Sequence, residues 1–207
     1  MITIVNYGMG NLGSIKNMLK KIGVESQITA DPAQVLAASK LTLPGVGAFD
    51  AGMRSLNESG MVPALHEQVL RRRTPVLGIC LGMQLMTTRS DEGALAGLGW
   101  IDADTVRFPD SPDNTLKVPH MGWNRVTPAK ASALLEGVHA DARFYFVHSY
   151  LVRCRERADV LMTTEHGVQF DAGFERDNVM GVQFHPEKSH RFGMWLLKNF
   201  VERVAPC

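Results

Sequence analysis

The 207-residue chain is 45% hydrophobic, enough to bury one sizeable core, so we expect a single domain over residues 1–207. Its 22 Lys and Arg nearly balance its 21 Asp and Glu, and the resulting net charge of +1 argues against nucleic-acid binding. No apolar run approaches the length of a membrane span and the first residues lack a signal-peptide pattern, so we expect a soluble protein without a membrane partner.

The first half of the sequence alternates strand and helix patterns. Residues 2–5 predict a buried strand, which leads through a glycine-rich loop into an amphipathic helix that Gly23 ends. Asp31 and Pro32 provide an N-cap and a first-turn proline, which predict a short helix before the next strand. Further elements are predicted at residues 41–43 (strand), 49–57 and 62–72 (helices), and in a strand that ends at Cys80.

The glycine-rich loop contains Gly8, Gly10 and Gly13 in the spacing of a dinucleotide-binding turn. No acidic residue lies convincingly at the end of the next strand, where the ribose of such a cofactor would be bound. We therefore expect no cofactor.

Short strand patterns dominate the chain beyond Gly99, and a helix pattern closes it at residues 191–204. Strands alternating with helices in the first half indicate a mostly parallel sheet covered by helices on both faces. The predicted fold class is therefore α/β, with a β-rich second half. The strands of that half are predicted at residues 105–108, 144–147, 152–154, 160–164 and 179–184.

Cys80 lies at the centre of Gly78-Ile79-Cys80-Leu81-Gly82, the thiol counterpart of a strand-turn-helix nucleophile elbow. The two glycines remove the Cβ atoms that would clash where strand and helix cross. The N-terminus of the following helix favours a thiolate. A buried structural cysteine beside a tight turn is the alternative, so Cys80 counts as a nucleophile only if the chain also supplies a base.

A base and an orienting group occur together in His185-Pro186-Glu187, directly after a predicted strand. In an extended segment, residues i and i+2 point the same way, so we expect the Glu187 carboxylate to hold the His185 ring. The other ring nitrogen would then exchange a proton with Cys80. These three residues form the candidate catalytic set.

Pro44-Gly45-Val46-Gly47-Ala48 follows another predicted strand, and its glycines allow backbone amides to approach a ligand. The segment is interpreted either as half of an oxyanion hole or as an ordinary turn. The three cysteines, Cys80, Cys154 and Cys207, are odd in number and lack metal-ligand spacing, which favours reduced thiols in the cytoplasm and no bound metal.

The cysteine and His-Pro-Glu motifs together resemble the class I, triad-type glutamine amidotransferases. Within that family, Pro119-His120-Met121-Gly122-Trp123-Asn124 is similar to a segment of the glutaminase subunits of imidazole glycerol phosphate synthases. The resemblance implies a flavodoxin-like fold and hydrolysis of L-glutamine to glutamate. It also implies a heterodimer with a (β/α)8 cyclase subunit, which receives the ammonia through a channel and makes imidazole glycerol phosphate in histidine biosynthesis.

The resemblance also implies roles for residues outside the triad. The oxyanion hole would consist of the amides of Val46 and Leu81. Glutamine would be bound near Gly47, Gln84, Glu92, Ser149 and Tyr150. The cyclase would contact Asn11, Pro119, His120, Met121, Trp123, Asn124 and Lys188, of which the 119–124 segment is expected to be a loop.

Two features depart from the pattern. His166-Gly167 occupies a place where the family pattern has a tyrosine before the glycine, and residues 189–194 resemble paralogous glutaminases that supply ammonia for surface-sugar synthesis. The alternative partner is therefore a sugar amidotransfer enzyme. A cysteine hydrolase or protease of similar fold, and a non-catalytic scaffold subunit, are the alternatives from other classes.

Overall fold

The computed structural model describes residues 1–109 and 116–205, so Cys207 lies outside the described residues. Thirteen strands are found in this part of the chain. They are β1 (Ile2–Val5), β2 (Ser26–Thr29), β3 (Leu41–Gly45), β4 (Val76–Cys80), β5 (Arg89–Ser90), β6 (Ala103–Arg107), β7 (His120–Arg125), β8 (Thr127–Pro128), β9 (Arg143–His148), β10 (Tyr150–Cys154), β11 (Val160–His166), β12 (Val168–Arg176) and β13 (Val179–Val182).

The helices lie mainly between the strands of the first half and at the end of the chain. The α-helices are α1 (Leu12–Lys21), α2 (Pro32–Leu36), α3 (Phe49–Glu58), α4 (Met61–His66), α5 (Leu81–Leu85) and α6 (His190–Glu202). A wide π-helical segment, Glu67–Arg71, continues α4, and short 3₁₀ turns cover Ala133–Leu135, Arg157–Asp159 and Pro186–Lys188. None of the helices in the described ranges combines the length and hydropathy needed to cross a membrane.

The main sheet has the strand order β2-β1-β3-β4-β13-β12-β10-β6-β5. The first five strands in this order are mutually parallel, and β13 begins an antiparallel region through β12. This is the α/β class predicted from the sequence, with strands concentrated in the second half. Because β3, β4 and β13 are adjacent and parallel, their carboxyl ends meet at one edge, where sites in such sheets lie.

Two hydrophobic clusters cover the two faces of the sheet. Leu77 and Ile79 pack in one cluster with residues of α1 and α6, whereas Val76 packs in the other with residues of α3, α4 and α5. Successive strand residues point to opposite faces, so β4 is apolar along its whole length because both faces are buried. The predicted helices on both sides of the sheet are thus present.

Local sequence signals correctly predicted several boundaries of the helices. Gly23 follows α1 with φ +79, and the Asp31 side chain accepts a hydrogen bond from the Ala33 N–H at the start of α2. The helix predicted at residues 62–72 changes part-way along to the wider π-helical segment, in which the Arg72 N–H donates to the Glu67 carbonyl. Strand β2 and the nine-residue strand β12 were not predicted.

The expectation of a loop at residues 119–124 is wrong for most of that segment. His120–Arg125 is a strand, β7, and it pairs antiparallel with β9 in a separate two-stranded sheet. Its residues alternate between buried or half-buried and exposed positions, because only one face of this hairpin-like sheet packs on the protein. Gly122 and Pro119 indicated a loop, but tertiary pairing with β9 overrides that local preference.

Helix α5 passes so close to β3 at Gly82 that we expect Gly82→Ala to destabilise the fold severely. A Cβ at Gly82 would lie 1.7 Å from the Leu43 carbonyl oxygen, so the backbone must move. We expect a loss of roughly 2 kcal/mol or more in the free energy of unfolding, measured by urea denaturation. Gly13→Ala is the control, since nothing lies within 4 Å of its Cβ and alanine favours helix α1. Equal stability of the two variants would contradict this account.

Candidate active site

Cys80 occupies the turn between β4 and α5 in a conformation that non-glycine residues rarely adopt, with φ 54° and ψ −111°. The two flanking glycines allow this turn. A Cβ at Gly78 would lie 2.8 Å from the Met83 backbone, and one at Gly82 would collide with β3. The predicted elbow is therefore present, and it presents the thiol at the carboxyl edge of the sheet.

The Cys80 sulfur is largely buried but has polar neighbours. Its Sγ lies 4.0 Å from the Val147 carbonyl oxygen, to which the thiol can donate, and 3.8 Å from the Gln183 Nε2. The helix α5 that follows has only five residues, so its macrodipole is small. The free backbone N–H groups at its start therefore contribute more than the macrodipole to stabilising a thiolate at Cys80.

His185 and Glu187 form a buried pair, in which the ring Nδ1 lies 2.7 Å from the carboxylate Oε1 and both side chains are 2% exposed. The His185 Nε2 has no hydrogen-bond partner among the residues that the structure describes. Burial lowers the pKa of His185, but the adjacent Cys80 sulfur and the Glu187 carboxylate together outweigh it and raise the pKa to about 9. The ring is therefore oriented by Glu187, with its free nitrogen available for proton exchange.

Glu187 reaches the ring by a route that differs from the expected extended segment. Pro186–Lys188 is a 3₁₀ turn, which folds the carboxylate back onto the histidine. The Ser189 hydroxyl donates to the His185 carbonyl at 2.6 Å and accepts from the Tyr145 N–H at 3.0 Å. The His185 N–H donates to the Tyr145 carbonyl at 2.9 Å, so strand β9 fixes the turn.

A cavity of about 510 Å³ opens beside these groups. Cys80 and His185 line it, whereas Glu187 lies behind the ring. The predicted oxyanion and glutamine-binding residues all line it as well, and so do two residues assigned to the partner surface. The full lining consists of Val46, Gly47, Cys80, Leu81, Gln84, Glu92, Pro119, Val147, His148, Ser149, Tyr150, His185 and Lys188.

Comparison with known proteins identifies the family. The model of class-I glutamine amidotransferases matches residues 3–204. This chain belongs to the class-I glutamine amidotransferase family. It is 52% identical to imidazole glycerol phosphate synthase subunit HisH 2 of Methanococcus maripaludis and of Pseudomonas aeruginosa, over 99% of this chain and 100% of each relative. The crystal structure of a glutamine amidotransferase from Thermotoga maritima shares the fold, with a TM-score of 0.64 at 18% identity over 97% and 80% of the two chains.

The candidate oxyanion residues of this amidotransferase lie on two segments. Leu81 is the first residue of α5, so its N–H has no partner within the helix, and Val46 directly follows β3 with 42% of its surface exposed. Tyr7, which the sequence did not single out, donates its hydroxyl hydrogen to the Pro44 carbonyl at 2.7 Å. Burial, and then the nearby Cys80, raise the pKa of Tyr7, so it stays a hydrogen-bond donor.

Glu92 has a structural contact at the cavity rim. Its Oε2 accepts a hydrogen bond from the Phe49 N–H at 2.8 Å, at the N-terminus of α3, where the N-cap residue Ala48 offers no side-chain cap. In return, the Asp50 carboxylate of α3 accepts from the N–H groups of Ala94 and Leu95, each at 3.1 Å. These hydrogen bonds, from the start of α3 to Glu92 and from the loop after Glu92 to Asp50, hold the loop that carries Glu92 beside Gly47.

Gln84 and Tyr150 are connected to a histidine pair that sequence reasoning did not recognise. The Tyr150 carbonyl accepts from Gln84 Nε2 at 3.2 Å and lies 2.7 Å from His148 Nδ1, while His148 Nε2 lies 3.0 Å from His120 Nδ1. Burial lowers the pKa of His148 to about 3, although the Tyr150 contact raises it, and lowers the pKa of His120 to about 4. Both rings are therefore neutral at pH 7.

Of the residues assigned to the partner surface, some are exposed and others are buried or bonded within the chain. Met121 and Trp123 are 62% and 42% exposed on β7, and the Trp123 ring stacks on His190 at a centroid distance of 5.4 Å. His120 is buried and stacks on His166 at 4.2 Å, and Asn124 lies 3.3 Å from its Nε2. Asn11 caps α1 through Ser14, and Lys188 lies over the Tyr145 ring.

The pair geometry predicts that Glu187→Gln lowers the pKa of His185. The neutral amide cannot stabilise an imidazolium as a carboxylate does, so we expect a decrease of about one unit or more. Ring nitrogen chemical shifts of His185, followed by NMR across a pH titration, measure it. Glu165→Gln is the control because Glu165 is an exposed carboxylate on β11. An unchanged His185 titration in Glu187→Gln would contradict the assigned pairing.

Proposed function

We propose that this chain is the glutaminase subunit of an imidazole glycerol phosphate synthase, with Cys80, His185 and Glu187 as its catalytic triad. The supporting observation is the convergence of a strained cysteine and a buried histidine-carboxylate pair on one cavity. The 52% identity over whole chains to relatives named as subunits of that synthase supports the pathway.

In the proposed reaction, the Cys80 thiol transfers its proton to His185, and the thiolate attacks the side-chain amide carbon of glutamine. The carbonyl π electrons move to oxygen, and the N–H groups of Leu81 and Val46 stabilise that oxyanion. His185 then gives its proton to the departing nitrogen, so ammonia leaves and a thioester remains. Water attacks the thioester with His185 as base, which releases glutamate and restores the thiol.

Substrate orientation follows from the polar groups of the cavity. We assign the α-amino and α-carboxylate groups of glutamine to the region of Gly47, Glu92, Ser149 and Tyr150, with Gln84 on the wall of the cavity. Glu92 is the one carboxylate among the residues that line the described cavity, so it attracts the ammonium group. Its second oxygen can do this while Oε2 keeps the cap on α3.

The proposal includes a cyclase partner and a cytoplasmic location. The proposed reaction releases ammonia inside the cavity, so we expect a partner that consumes it to dock beside Pro119 and Lys188, two exposed residues of the cavity lining. Met121 and Trp123 supply exposed apolar surface on the neighbouring strand. A nucleophilic thiol must stay reduced, which the cytoplasm provides.

Cys80→Ser tests the nucleophile. We expect glutamine hydrolysis, measured as glutamate release, to fall by roughly a thousand-fold or more, because serine in a cysteine site lacks an activated thiolate. Cys154→Ser is the matched control, since Cys154 is a buried free cysteine on β10, and we expect it to keep its activity. Wild-type activity in Cys80→Ser would refute the triad, and peptide cleavage without glutaminase activity would support a protease instead.

A second partner is favoured by the surface around Trp123. His190 and Arg191, within the segment that resembles glutaminases of surface-sugar synthesis, line a 450 Å³ cavity together with Trp123, Arg143 and Phe192. The second candidate is therefore a glutaminase that supplies a sugar amidotransfer enzyme through the same catalytic residues.

Trp123→Ala tests the partner surface. With the cognate synthase and its nucleotide ligand present, we expect at least a ten-fold loss of the stimulation of glutamine hydrolysis. An aromatic side chain that becomes buried in an interface contributes several kcal/mol to the binding free energy. Leu70→Ala is the control, because Leu70 is 51% exposed and lies outside this surface. Stimulation by a sugar amidotransfer enzyme, and not by the cyclase, would favour the second candidate. Unchanged stimulation in Trp123→Ala would exclude this surface.

A further inference from the structure

Gln183 is a buried amide beside the nucleophile that no role described so far uses. It follows β13, whose register pairs Val182 with Ile79 on β4, so the next residue along lies beside Cys80. Its side chain is fully buried, and its backbone N–H donates to the Ala172 carbonyl at 2.9 Å. Residues 183 and 184 form a bend between β13 and His185, and the side chains of Gln183 and His185 both reach Cys80.

The orientation of the Gln183 amide is determined by its neighbours. The Tyr150 carbonyl can only accept hydrogen bonds, so the group of Gln84 that lies 3.2 Å from it must be the NH₂. The same Gln84 Nε2 lies 3.0 Å from the other amide, which must therefore present its oxygen, Gln183 Oε1. The NH₂ of Gln183 then faces the Cys80 sulfur at 3.8 Å.

The Tyr150 carbonyl is itself held in place from its other side. His148 Nδ1 lies 2.7 Å from this oxygen and must carry a hydrogen to donate to it. A carbonyl oxygen has two lone pairs, so His148 and Gln84 together satisfy it. Rotation of either amide by 180° would place two oxygens or two NH₂ groups against each other, so the observed polarity is the one stable arrangement.

The sulfur has different partners in its two protonation states. As a thiol it can donate to the Val147 carbonyl at 4.0 Å, whereas a thiolate can only accept. On the side of Gln183 it meets an N–H donor, which stabilises the thiolate and not the thiol. Among the described residues, His185, which takes the proton, and the Tyr7 hydroxyl, which is committed to Pro44, interact with the sulfur. The other titratable groups that line the same cavity are His148, Tyr150, Glu92 and Lys188.

We propose that the side-chain N–H of Gln183 is a catalytic group that stabilises the Cys80 thiolate, with its orientation set by Gln84 and the Tyr150 carbonyl. The inference rests on the proposed role of Cys80 as nucleophile. It adds a donor to the sulfur itself, separate from the backbone amides that face the substrate oxyanion. No bond is made or broken by Gln183, and the thiol proton goes to His185 Nε2.

Alkylation of Cys80 by iodoacetamide tests this role without glutamine. The rate is measured from pH 5 to pH 10 in the full-length protein, with peptide mass spectrometry to assign the label and Cys80→Ser for background. Gln183→Met keeps the length of the side chain but removes the donor. We expect the midpoint of the pH profile to rise by about half a unit to one unit, and the rate below the midpoint to fall about three- to ten-fold.

Two further variants separate a donor effect from a packing effect. Gln183→Glu keeps an oxygen for Gln84 but turns a carboxylate oxygen toward the sulfur, so we expect a larger rise of the midpoint than in Gln183→Met. Gln68→Met is the matched control, since Gln68 is a buried glutamine bonded to the Leu36 carbonyl, away from Cys80. Its pH profile should match that of the wild type. Superimposable profiles for folded Gln183→Met and wild-type protein would overturn the inference.

A measurement on the unchanged Gln183 covers the case in which its variants do not fold. The side-chain NH₂ resonances of Gln183 should shift with the titration of Cys80 in the wild type and lose that shift in Cys80→Ser. An invariant NH₂ signal would overturn the inference. If the chain showed no glutaminase activity but Gln183→Met still shifted the alkylation profile, the proposed function would fail while the thiolate contact would remain.

Discussion

The strained turn at Cys80 is the constraint on which the rest of the site depends. A positive φ at a non-glycine residue costs of order 1–3 kcal/mol and persists only where the surroundings enforce it. Here β3 and β13 hold β4 on both sides, and Gly82 lets α5 cross within contact of the Leu43 carbonyl. The fold therefore delivers the thiol, the oxyanion segment after β3 and the histidine segment after β13 to one edge.

Burial then determines the electrostatics of that edge. A histidine buried among apolar groups ordinarily has a lowered pKa, as His148 does, because burial penalises the charged ring. His185 is also buried, yet its pKa is raised because the Cys80 sulfur and the Glu187 carboxylate both favour the imidazolium. The raised pKa stabilises the folded protein fully below about pH 6.5, and this contribution is lost as the pH rises through about 9. The same pairing that orients the base thus also stabilises the folded protein near neutral pH.

The sequence contained most of the fold and the reactive groups. Local signals sufficed for the elements at Gly23, Asp31 and Cys80, because caps, glycines and apolar runs act within a few residues. Strand β7 was not predicted, since its pairing with β9 depends on residues 18 to 28 positions away. The Glu187 contact was expected for an extended chain and is made by a 3₁₀ turn, which tertiary hydrogen bonds to β9 impose.

Hydrogen-bond polarity is the part of the site that sequence reasoning reaches least, because it depends on three-dimensional neighbours. Asn124 on β7 lies 3.3 Å from His120 Nε2, and the chain of contacts continues through His148 to the Tyr150 carbonyl. Because His148 must donate to that carbonyl, its Nε2 accepts from His120, which in turn accepts from Asn124. The exposed strand and the cavity wall are therefore joined by neutral groups with a single allowed arrangement. Since no member of this series is charged near neutral pH, salt screens these contacts little, and hydrogen bonds between neutral groups alone connect Asn124 with Tyr150.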